Sequence, residues 1–219
     1  MSNKHFSKRI SPFIGTKRII VLAVAIISGF WAKNNIIVHH SGGQVSNNQS
    51  YYDVKRVVDG DTIWLENGEK IRLVGMDAPE SRENDKALRD SHRTGADLDS
   101  IVKMGKKATA FVRELVDRAG NKVKLEYEVE PKDKYGRSLA YLFIKIPGAT
   151  PATDPNLYFM PNSDEIFLNA SIVKSGYASP MTIPPNVKYS HLIVDLFRDA
   201  RKNNRGLWGE QDNLLFGKR

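Results

Sequence analysis

The sequence predicts a mainly β protein with helices, in which a five-stranded barrel is flanked by about three helices and preceded by an N-terminal hydrophobic segment. Three observations lead to this prediction. Short β-rich segments begin at residue 52, a helical period separates the third segment from the fourth, and two further helical patterns close the chain. With 219 residues, the chain has room for one well-packed domain with additions, but not for two domains of full size.

Five segments concentrate or alternate apolar residues in the manner of strands. Asn67 and Gly68 join the second to the third, and because this dipeptide is the strongest two-residue hairpin signal, we predict that the first three strands are consecutive and antiparallel. The fourth segment, KVKLEYEV, alternates apolar with charged residues, which is typical of a half-buried strand. The predicted strands are residues 53–58, 61–67, 69–76, 122–129 and 138–144.

Three segments have the 3.6-residue period of amphipathic helices. The first, residues 105–119, places its apolar side chains on one stripe and is followed by Gly120, which suits a helix stop. Helices are also predicted around residues 165–175 and 187–204, and Trp208 is expected to cap the core. Five strands with a helix between the third and the fourth is the order of an OB-fold, a small barrel that commonly binds oligonucleotides.

Two long segments lack either period. Residues 81–104 are predicted to form a polar, charged loop, and residues 146–164, which are rich in Pro, Asn and Asp, are predicted to form another. Loops of this length are usually functional or disordered. Both are therefore expected to alter access to a site more than its central chemistry.

The first 50 residues differ in composition from the rest of the chain. They contain six Lys and Arg and no Asp or Glu, so only +2 of the formal charge of +8 remains for the body. An apolar segment of about residues 19–38 follows this basic region, and residues 41–50 form a Gly- and Ser-rich tether. This layout favours an uncleaved signal anchor over a cleaved signal peptide, with a buried core helix as the alternative. The basic flank predicts that the body is exported.

The body is predicted to be one domain, residues 51–210, followed by a short tail, residues 211–219. The chain has no cysteine, which excludes disulfides, thiolate metal sites and cysteine nucleophiles.

A purely structural membrane protein would explain the N-terminal segment. It would not explain the charged clusters of the body.

Three clusters place charged residues among apolar neighbours: DGD at 59–61, RLVGMDAPE at 72–80 and DKYGR at 133–137. Their carboxylates and arginines are what hydrolysis of a phosphodiester requires. A hard divalent cation takes oxygen ligands and polarises a phosphoryl oxygen, while a further carboxylate can act on the attacking water. Guanidinium groups bind the charged phosphoryl oxygens in a bidentate manner.

Each cluster also has a structural interpretation. Asp59 before Gly60 is a natural turn residue, and Asp61 could cap the same turn. Pro79 could fix the backbone of a loop, and Arg137 could form a surface ion pair. These interpretations hold for each cluster alone but require a coincidence when the clusters are taken together.

Four motifs occur in a fixed order: VVDGDTI, IRLVGMDAPES, DKYGRSLAY and LNASIVKSGYA. In this order they resemble the staphylococcal nuclease-like, or thermonuclease, family, and RDARKNNRGLW is similar to the closing helix of that family. The resemblance covers roughly residues 52–208. It implies an OB-fold enzyme that hydrolyses DNA and/or RNA with Ca²⁺, has little base specificity and leaves a 3′-phosphate. We also expect the protein to be a monomer.

The resemblance also implies a metal site. Asp61 and Asp77 match the positions that ligate calcium, together with the backbone carbonyl of Ala78. Because this third contact comes from the main chain, alanine is acceptable where some members have threonine. Asp59 is expected to shape the bend and Asp61 to bind the metal.

The same resemblance implies which residues react with the substrate. Arg72, Glu80 and Arg137 match the catalytic positions, with Glu80 acting on the attacking water and the two arginines stabilising the phosphate. Lys134 and Tyr135 match positions near the substrate phosphate and ring.

The sequence departs from the family pattern in three places. A tyrosine is missing near Thr182, the segment after Glu80 is about a dozen residues longer than in compact members, and the Pro-rich segment that begins at Ile146 is an insertion. These departures are expected to alter substrate access. The alternative function is a catalytically weak or inactive OB-fold module that binds nucleic acid or protein.

Overall fold

The structure, a computed structural model, describes residues 50–210. The predicted hydrophobic segment, the tether before residue 50 and the tail 211–219 lie outside these residues. No helix within the described range has both the length and the apolar character needed to cross a membrane.

Between residues 50 and 210 the chain forms eight strands and five helices. The strands are β1 (Tyr51–Asp59), β2 (Thr62–Leu65), β3 (Lys70–Leu73), β4 (Gly75–Asp77), β5 (Lys122–Glu126), β6 (Ser138–Ile144), β7 (Ile166–Phe167) and β8 (Ser179–Met181). The helices are α1 (Asp85–Thr94), α2 (Leu98–Arg118), α3 (Leu168–Lys174), α4 (Ser190–Lys202) and α5 (Leu207–Glu210).

Five of the strands close into a barrel. They pair in the order β3, β2, β1, β5, β6, and a parallel pairing between β3 and β6 joins the two ends of this sheet. The other four pairings in the barrel are antiparallel. Closure removes the two exposed edges that an open sheet would leave. The predicted five-stranded barrel is thus confirmed, with the two-residue β7 added beside β6 and β4 paired separately with β8.

The barrel interior is filled by the inward residues of the alternating strands. Ile63 and Leu65 of β2 and Ile71 and Leu73 of β3 are 0–1% exposed, and burial of such a side chain contributes about 1.5–3 kcal/mol. Helix α2 adds a stripe to the same core through Ala108, Val112, Leu115 and Val116.

The prediction of a loop at residues 81–104 was wrong. This segment contains the whole of α1 and the first turns of α2. Helix α1 has no apolar stripe in its sequence, because nearly all of its residues are polar and Ala87 is the one that is buried. Its ends are specified by the N-cap Asn84 and the left-handed Gly95. Two additional helices, α1 and α5, also raise the number above the predicted three.

Helix α2 begins at Leu98, seven residues before the predicted start at 105. Its N-cap is Asp97, whose carboxylate accepts a hydrogen bond from the N–H of Ser100 at 2.9 Å. Gly105, the first residue of the predicted helix, lies inside the observed one, and Ile101 and Met104 before it are already buried. The predicted stop is confirmed, because α2 ends at Arg118 and Gly120 has a φ of +67°.

The remaining boundaries differ by a few residues. Helix α3 starts at Leu168 because Ile166–Phe167 pairs with β6 before the helix begins. Helix α4 spans Ser190–Lys202 within the predicted 187–204, and β5 ends at Glu126 rather than at residue 129. Residues 146–164 contain neither a helix nor a strand, as predicted.

Candidate active site

A two-residue hairpin loop, Gly60 and Asp61, joins β1 to β2 and lies against the core. A Cβ on Gly60 would be 2.6 Å from the Cβ of Ala78 and 3.0 Å from that of Ala108. Glycine is therefore required here for close approach. The approach lets the Asp61 carboxylate accept a hydrogen bond at 3.0 Å from the N–H of Ala78.

Asp59 and Asp61 occupy different electrostatic environments. Asp59 accepts a hydrogen bond at 3.2 Å from the N–H of Asp61, as a turn residue does. Burial, followed by the nearby charge of Asp61, raises the pKa of Asp59 to about 7. Burial would also raise the pKa of Asp61, but attraction by Arg72 and Lys86 outweighs it and lowers that pKa. Asp61 is therefore the carboxylate that stays ionised.

Arg72 joins the two carboxylates that the sequence assigns to a metal. It lies on β3 between two core residues, so its side chain points out of the barrel, yet it is only 7% exposed. Its guanidinium forms an ion pair with Asp61 and another with Asp77 at 2.8 Å. Burial would lower the pKa of Arg72, but these two carboxylates outweigh it and raise the pKa.

The ammonium group of Lys86, on α1, lies among the same acidic groups. Its Nζ is 3.1 Å from Oδ1 of Asp77 and 2.9 Å from Oε1 of Glu80, and it donates a hydrogen bond at 2.9 Å to the carbonyl oxygen of Ala78. Burial would lower the pKa of Lys86, but the carboxylates, Asp77 foremost, outweigh it and raise the pKa. The ammonium group of Lys86 therefore contacts two of the predicted metal ligands, Asp77 and the carbonyl of Ala78.

Two features of the helices position Glu80. Its Oε2 accepts a hydrogen bond at 2.8 Å from the side-chain amide of Asn84, the residue that caps α1. Helix α2 crosses its backbone at Gly105, where a Cβ would lie 2.0 Å from the carbonyl oxygen of Glu80. A glycine in a helix interior disfavours the helix by about 1 kcal/mol relative to alanine. The close contact with Glu80 explains why glycine is nevertheless present at position 105.

A tight turn organised by Asp133 presents Arg137. One oxygen of Asp133 accepts hydrogen bonds from the N–H groups of Tyr135 and Arg137, at 2.9 and 3.0 Å. The other accepts one at 2.7 Å from Nε of Arg137. The Cζ of Arg137 lies 5.7 Å from the ring centroid of Tyr135, and within residues 50–210 no acidic side chain pairs with its terminal nitrogens. Burial would raise the pKa of Asp133, but the hydrogen bonds, with that from the Arg137 side chain the largest, outweigh it and lower the pKa.

Arg72 and Arg137 line one cleft of about 430 Å³, which we call the arginine cleft. Tyr135, 73% exposed, stands in it with Lys134 Nζ 5.0 Å from its ring centroid. Near the predicted departure at Thr182, its two neighbours, Met181 and Ile183, line the cleft.

The structure therefore brings the predicted residues together in two linked sets. Asp61, Asp77, Ala78 and Glu80 belong to the acidic cluster around Lys86, and Lys134, Tyr135 and Arg137 belong to the cleft. Arg72 belongs to both.

Sequence reasoning missed Lys86, Asn84, Asp133 and Gly105. For Gly105, a glycine in an amphipathic stripe was an available signal. For Asp133, the DKYG turn was a second. No local pattern marks Lys86, because its importance depends on where α1 lies.

The donor atoms of the acidic cluster suit a hard divalent ion. Two carboxylates and a carbonyl are oxygen ligands of the kind calcium takes, with water completing its shell. Within residues 50–210, no three acidic or histidine side chains converge to hold a metal ion by themselves. Arg72 and Lys86 already contact these oxygens. The cluster therefore matches calcium in the type and charge of its donor atoms.

Comparison with known proteins agrees with this architecture. The family model described as Staphylococcal nuclease homologue matches residues 70–210. The chain is 31% identical to a thermonuclease of Staphylococcus intermedius over 196 residues, which cover 88% of this chain and 96% of the relative. It is 29% identical to a thermonuclease of Staphylococcus hyicus, over 89% of this chain and 97% of that one. An uncharacterized protein of Methanocaldococcus jannaschii is 31% identical over 84% of this chain and 81% of its own length.

Proposed function

This chain belongs to the staphylococcal nuclease homologue family, and we propose that it is a Ca²⁺-dependent nuclease that hydrolyses phosphodiester bonds of DNA and/or RNA. One observation carries the proposal. Arg72 and Arg137 line the same cleft, and the guanidinium of Arg72 also contacts the acidic cluster that holds Glu80. A phosphate in this cleft would have cationic groups on one side and a carboxylate base nearby.

In this proposal the arginines bind the reacting phosphate. Planar guanidinium groups, always protonated, match its oxygens and stabilise the charge that gathers there in the transition state. Asp133 fixes the orientation of Arg137 through the bond to Nε. Asp61 and Asp77 do the same for Arg72.

Glu80 acts on the attacking water. Its carboxylate takes a proton as the water oxygen bonds to phosphorus, the bond from phosphorus to the 5′ oxygen breaks, and the leaving oxygen takes a proton from solvent. The product strand then ends in a 3′-phosphate. Asn84 and Lys86 each donate to one oxygen of Glu80, and each oxygen retains a further lone pair that can accept from the water.

Asp61, Asp77 and the carbonyl of Ala78 would hold calcium. When bound, the ion polarises a phosphoryl oxygen and neutralises developing charge. Lys134 and Tyr135, exposed at the cleft, would contact the neighbouring phosphate and ring of the substrate.

A second candidate function is a binding module of the same fold with little or no turnover. The observation that favours it is that basic side chains already bind the proposed calcium ligands. Lys86 contacts Asp77 and the carbonyl of Ala78, and Arg72 forms an ion pair with Asp61. For either function we propose that the body is exported, either anchored to a membrane by residues 19–38 or released, and acts as a monomer. The basic flank and apolar run of the N-terminal segment support export.

Turnover of labelled single-stranded DNA and RNA with millimolar CaCl₂ tests the proposal. We expect Glu80→Gln to lower kcat about 10²- to 10⁴-fold, the usual contribution of a positioned base. Glu83→Gln is the matched control, because this exposed glutamate lies in the same segment. Equal rates for Glu80→Gln and Glu83→Gln would contradict the nuclease proposal, and calcium-independent binding without turnover would support the binding module.

A further inference from the structure

Trp64 lies on the outer face of the barrel with cations on both neighbouring strands. It is half-buried and stands on β2 between Ile63 and Leu65, which point inward. Arg56 on β1 and Lys70 on β3 are its direct cross-strand partners. The Cζ of Arg56 is 4.5 Å, and the Nζ of Lys70 5.1 Å, from its ring centroid.

A bulge in β1 brings a third cation to the same ring. The pairing of β1 with β2 shifts register between Val54 and Arg56, so that Lys55 is an extra residue. Consequently Lys55 and Arg56 are both exposed although they are adjacent, and the Nζ of Lys55 is 5.5 Å from the ring centroid of Trp64. Bulges of this kind re-aim side chains and are over-represented next to active sites.

The positive charge of this group is not neutralised. Within the part of the chain that the structure describes, Lys55, Arg56 and Lys70 form no ion pair with an acidic side chain. Like charges on neighbouring strands destabilise a sheet. An anionic partner would relieve this repulsion.

The group is continuous with the proposed active site. Thr62 pairs with Arg72 and Trp64 pairs with Lys70, so the two pairs are successive rows on the outer face of β2 and β3. Two residues along a strand span about 7 Å. A polynucleotide with one phosphate at Arg72 would therefore meet Trp64 within the next few nucleotides.

We propose that Trp64, Lys55, Arg56 and Lys70, the Trp64 patch, form an extended binding surface for single-stranded polynucleotides. One base stacks on the indole and the three cations contact backbone phosphates. Stacking on an aromatic side chain requires an unpaired base, which a duplex does not offer. The inference rests on the proposed nuclease function, since it names the form of substrate that reaches the active site.

The test compares a long with a short ligand on the full-length protein. The variants are Lys55→Gln/Arg56→Gln/Lys70→Gln, Trp64→Leu and Trp64→Phe. Anisotropy of a fluorescent single-stranded 20-mer, measured with EDTA to prevent cleavage, gives affinity and its salt dependence. KM and kcat with the 20-mer and with a dinucleotide show whether the effect is confined to long strands.

We expect the triple variant to weaken 20-mer binding at least tenfold and to reduce the slope of log K against log[salt] by about 2, which is about 0.7 for each lost phosphate contact. Trp64→Leu should weaken binding by about 5- to 150-fold, and Trp64→Phe by less because it keeps a ring. KM for the 20-mer should rise, whereas dinucleotide kinetics should not change.

Unchanged 20-mer affinity and salt slope would overturn the inference, as would equal losses for the 20-mer and the dinucleotide. Loss of binding to vesicles of anionic phospholipid with normal DNA binding would overturn it too, by assigning the patch to a lipid surface. Thermal melting identifies any variant that fails to fold, and Trp64→Phe then supplies the deciding comparison. A wild-type protein that binds the 20-mer through the patch without cleaving it would contradict the nuclease proposal alone.

Discussion

At the scale of single residues, the turn around Arg137 shows how one carboxylate determines where a guanidinium points. Asp133 binds Nε of Arg137 and two backbone N–H groups of the turn. Because its side chain is 16% exposed, these bonds form in a partly desolvated environment, where they are stronger than in water. Asp133 is therefore a positioning residue for Arg137.

Replacing Asp133 by Asn should lower both activity and stability, the latter in a pH-dependent way. Its folded-state pKa is lowered, so its contribution to stability is present above the unfolded pKa of about 3.9 and is lost as pH falls through the folded value. Urea unfolding should show a large difference between wild type and Asp133→Asn at pH 7 and a smaller one at pH 3. Nuclease assays at pH 7 should show kcat reduced by about ten- to a hundredfold.

Asp195→Asn is the control for both measurements, because this carboxylate is 72% exposed on α4. A stability difference for Asp133→Asn that grew toward pH 3 would contradict the assigned hydrogen bonds.

At the scale of elements, the two helices that follow Glu80 determine the environment of its carboxylate. Helix α1 supplies Asn84 and Lys86, and α2 passes behind the backbone at Gly105. Residues 81–104 are thus a structured part of the site. Their caps were readable in the sequence, but α1 is almost wholly polar and buries only Ala87, so no apolar stripe marked it as a helix.

Gly105→Ala should destabilise the protein although alanine favours a helix. The added methyl group would meet the carbonyl carbon and oxygen of Glu80 at 2.0–2.2 Å, and both belong to backbone that cannot rotate away. Overpacking of this kind costs about 1–3 kcal/mol, and displacement of Glu80 should lower kcat as well. Thermal or urea unfolding and a nuclease assay measure the two effects.

Lys106→Ala makes a matched comparison, since the adjacent position is exposed on the same helix. If Gly105→Ala proved more stable than wild type, the close approach of α2 to Glu80 would be refuted.

At the scale of the whole molecule, closure of the barrel assembles the site. The parallel pairing of β3 with β6 places Arg72 opposite Leu139, two residues after Arg137. Two arginines that are 65 positions apart in sequence then line one cleft. The hairpin turn that carries Asp61 is held against Ala78 by the packing of Gly60 on α2.

Calcium should stabilise the folded protein, and removal of Lys86 should enlarge this effect. An ion that binds only the folded state adds about 2.7 kcal/mol at a hundred times its Kd, or about 5–10 °C in Tm for a protein of this size. Lys86 contacts Asp77 and the carbonyl of Ala78, two of the proposed calcium ligands, so Lys86→Ala should bind calcium more tightly. Calorimetric titration and melting curves with CaCl₂ or EDTA measure both.

Arg89→Ala, which removes an exposed charge from α1, controls for a general change in charge. A calcium affinity that is equal in Lys86→Ala and Arg89→Ala would show that Lys86 does not compete with the ion.

The sequence by itself determined the barrel strands, the helix between the third and fourth, and the family. These features depend on local patterns: alternation along strands, the Asn67-Gly68 turn and four short motifs in order. Through the family resemblance it also identified part of the site, but not Lys86 or Asp133; the residues identified were Asp61, Arg72, Asp77, Ala78, Glu80, Lys134, Tyr135 and Arg137.

Only the tertiary structure decided which charges meet. It distinguished Asp59 from Asp61 by burial and by the position of Arg72, and it placed Lys86 among the predicted metal ligands. It also revealed the bulge that directs Lys55 to Trp64. The physical reason is that coulombic and packing energies depend on distances between residues remote in sequence, and strand pairing and helix docking set those distances.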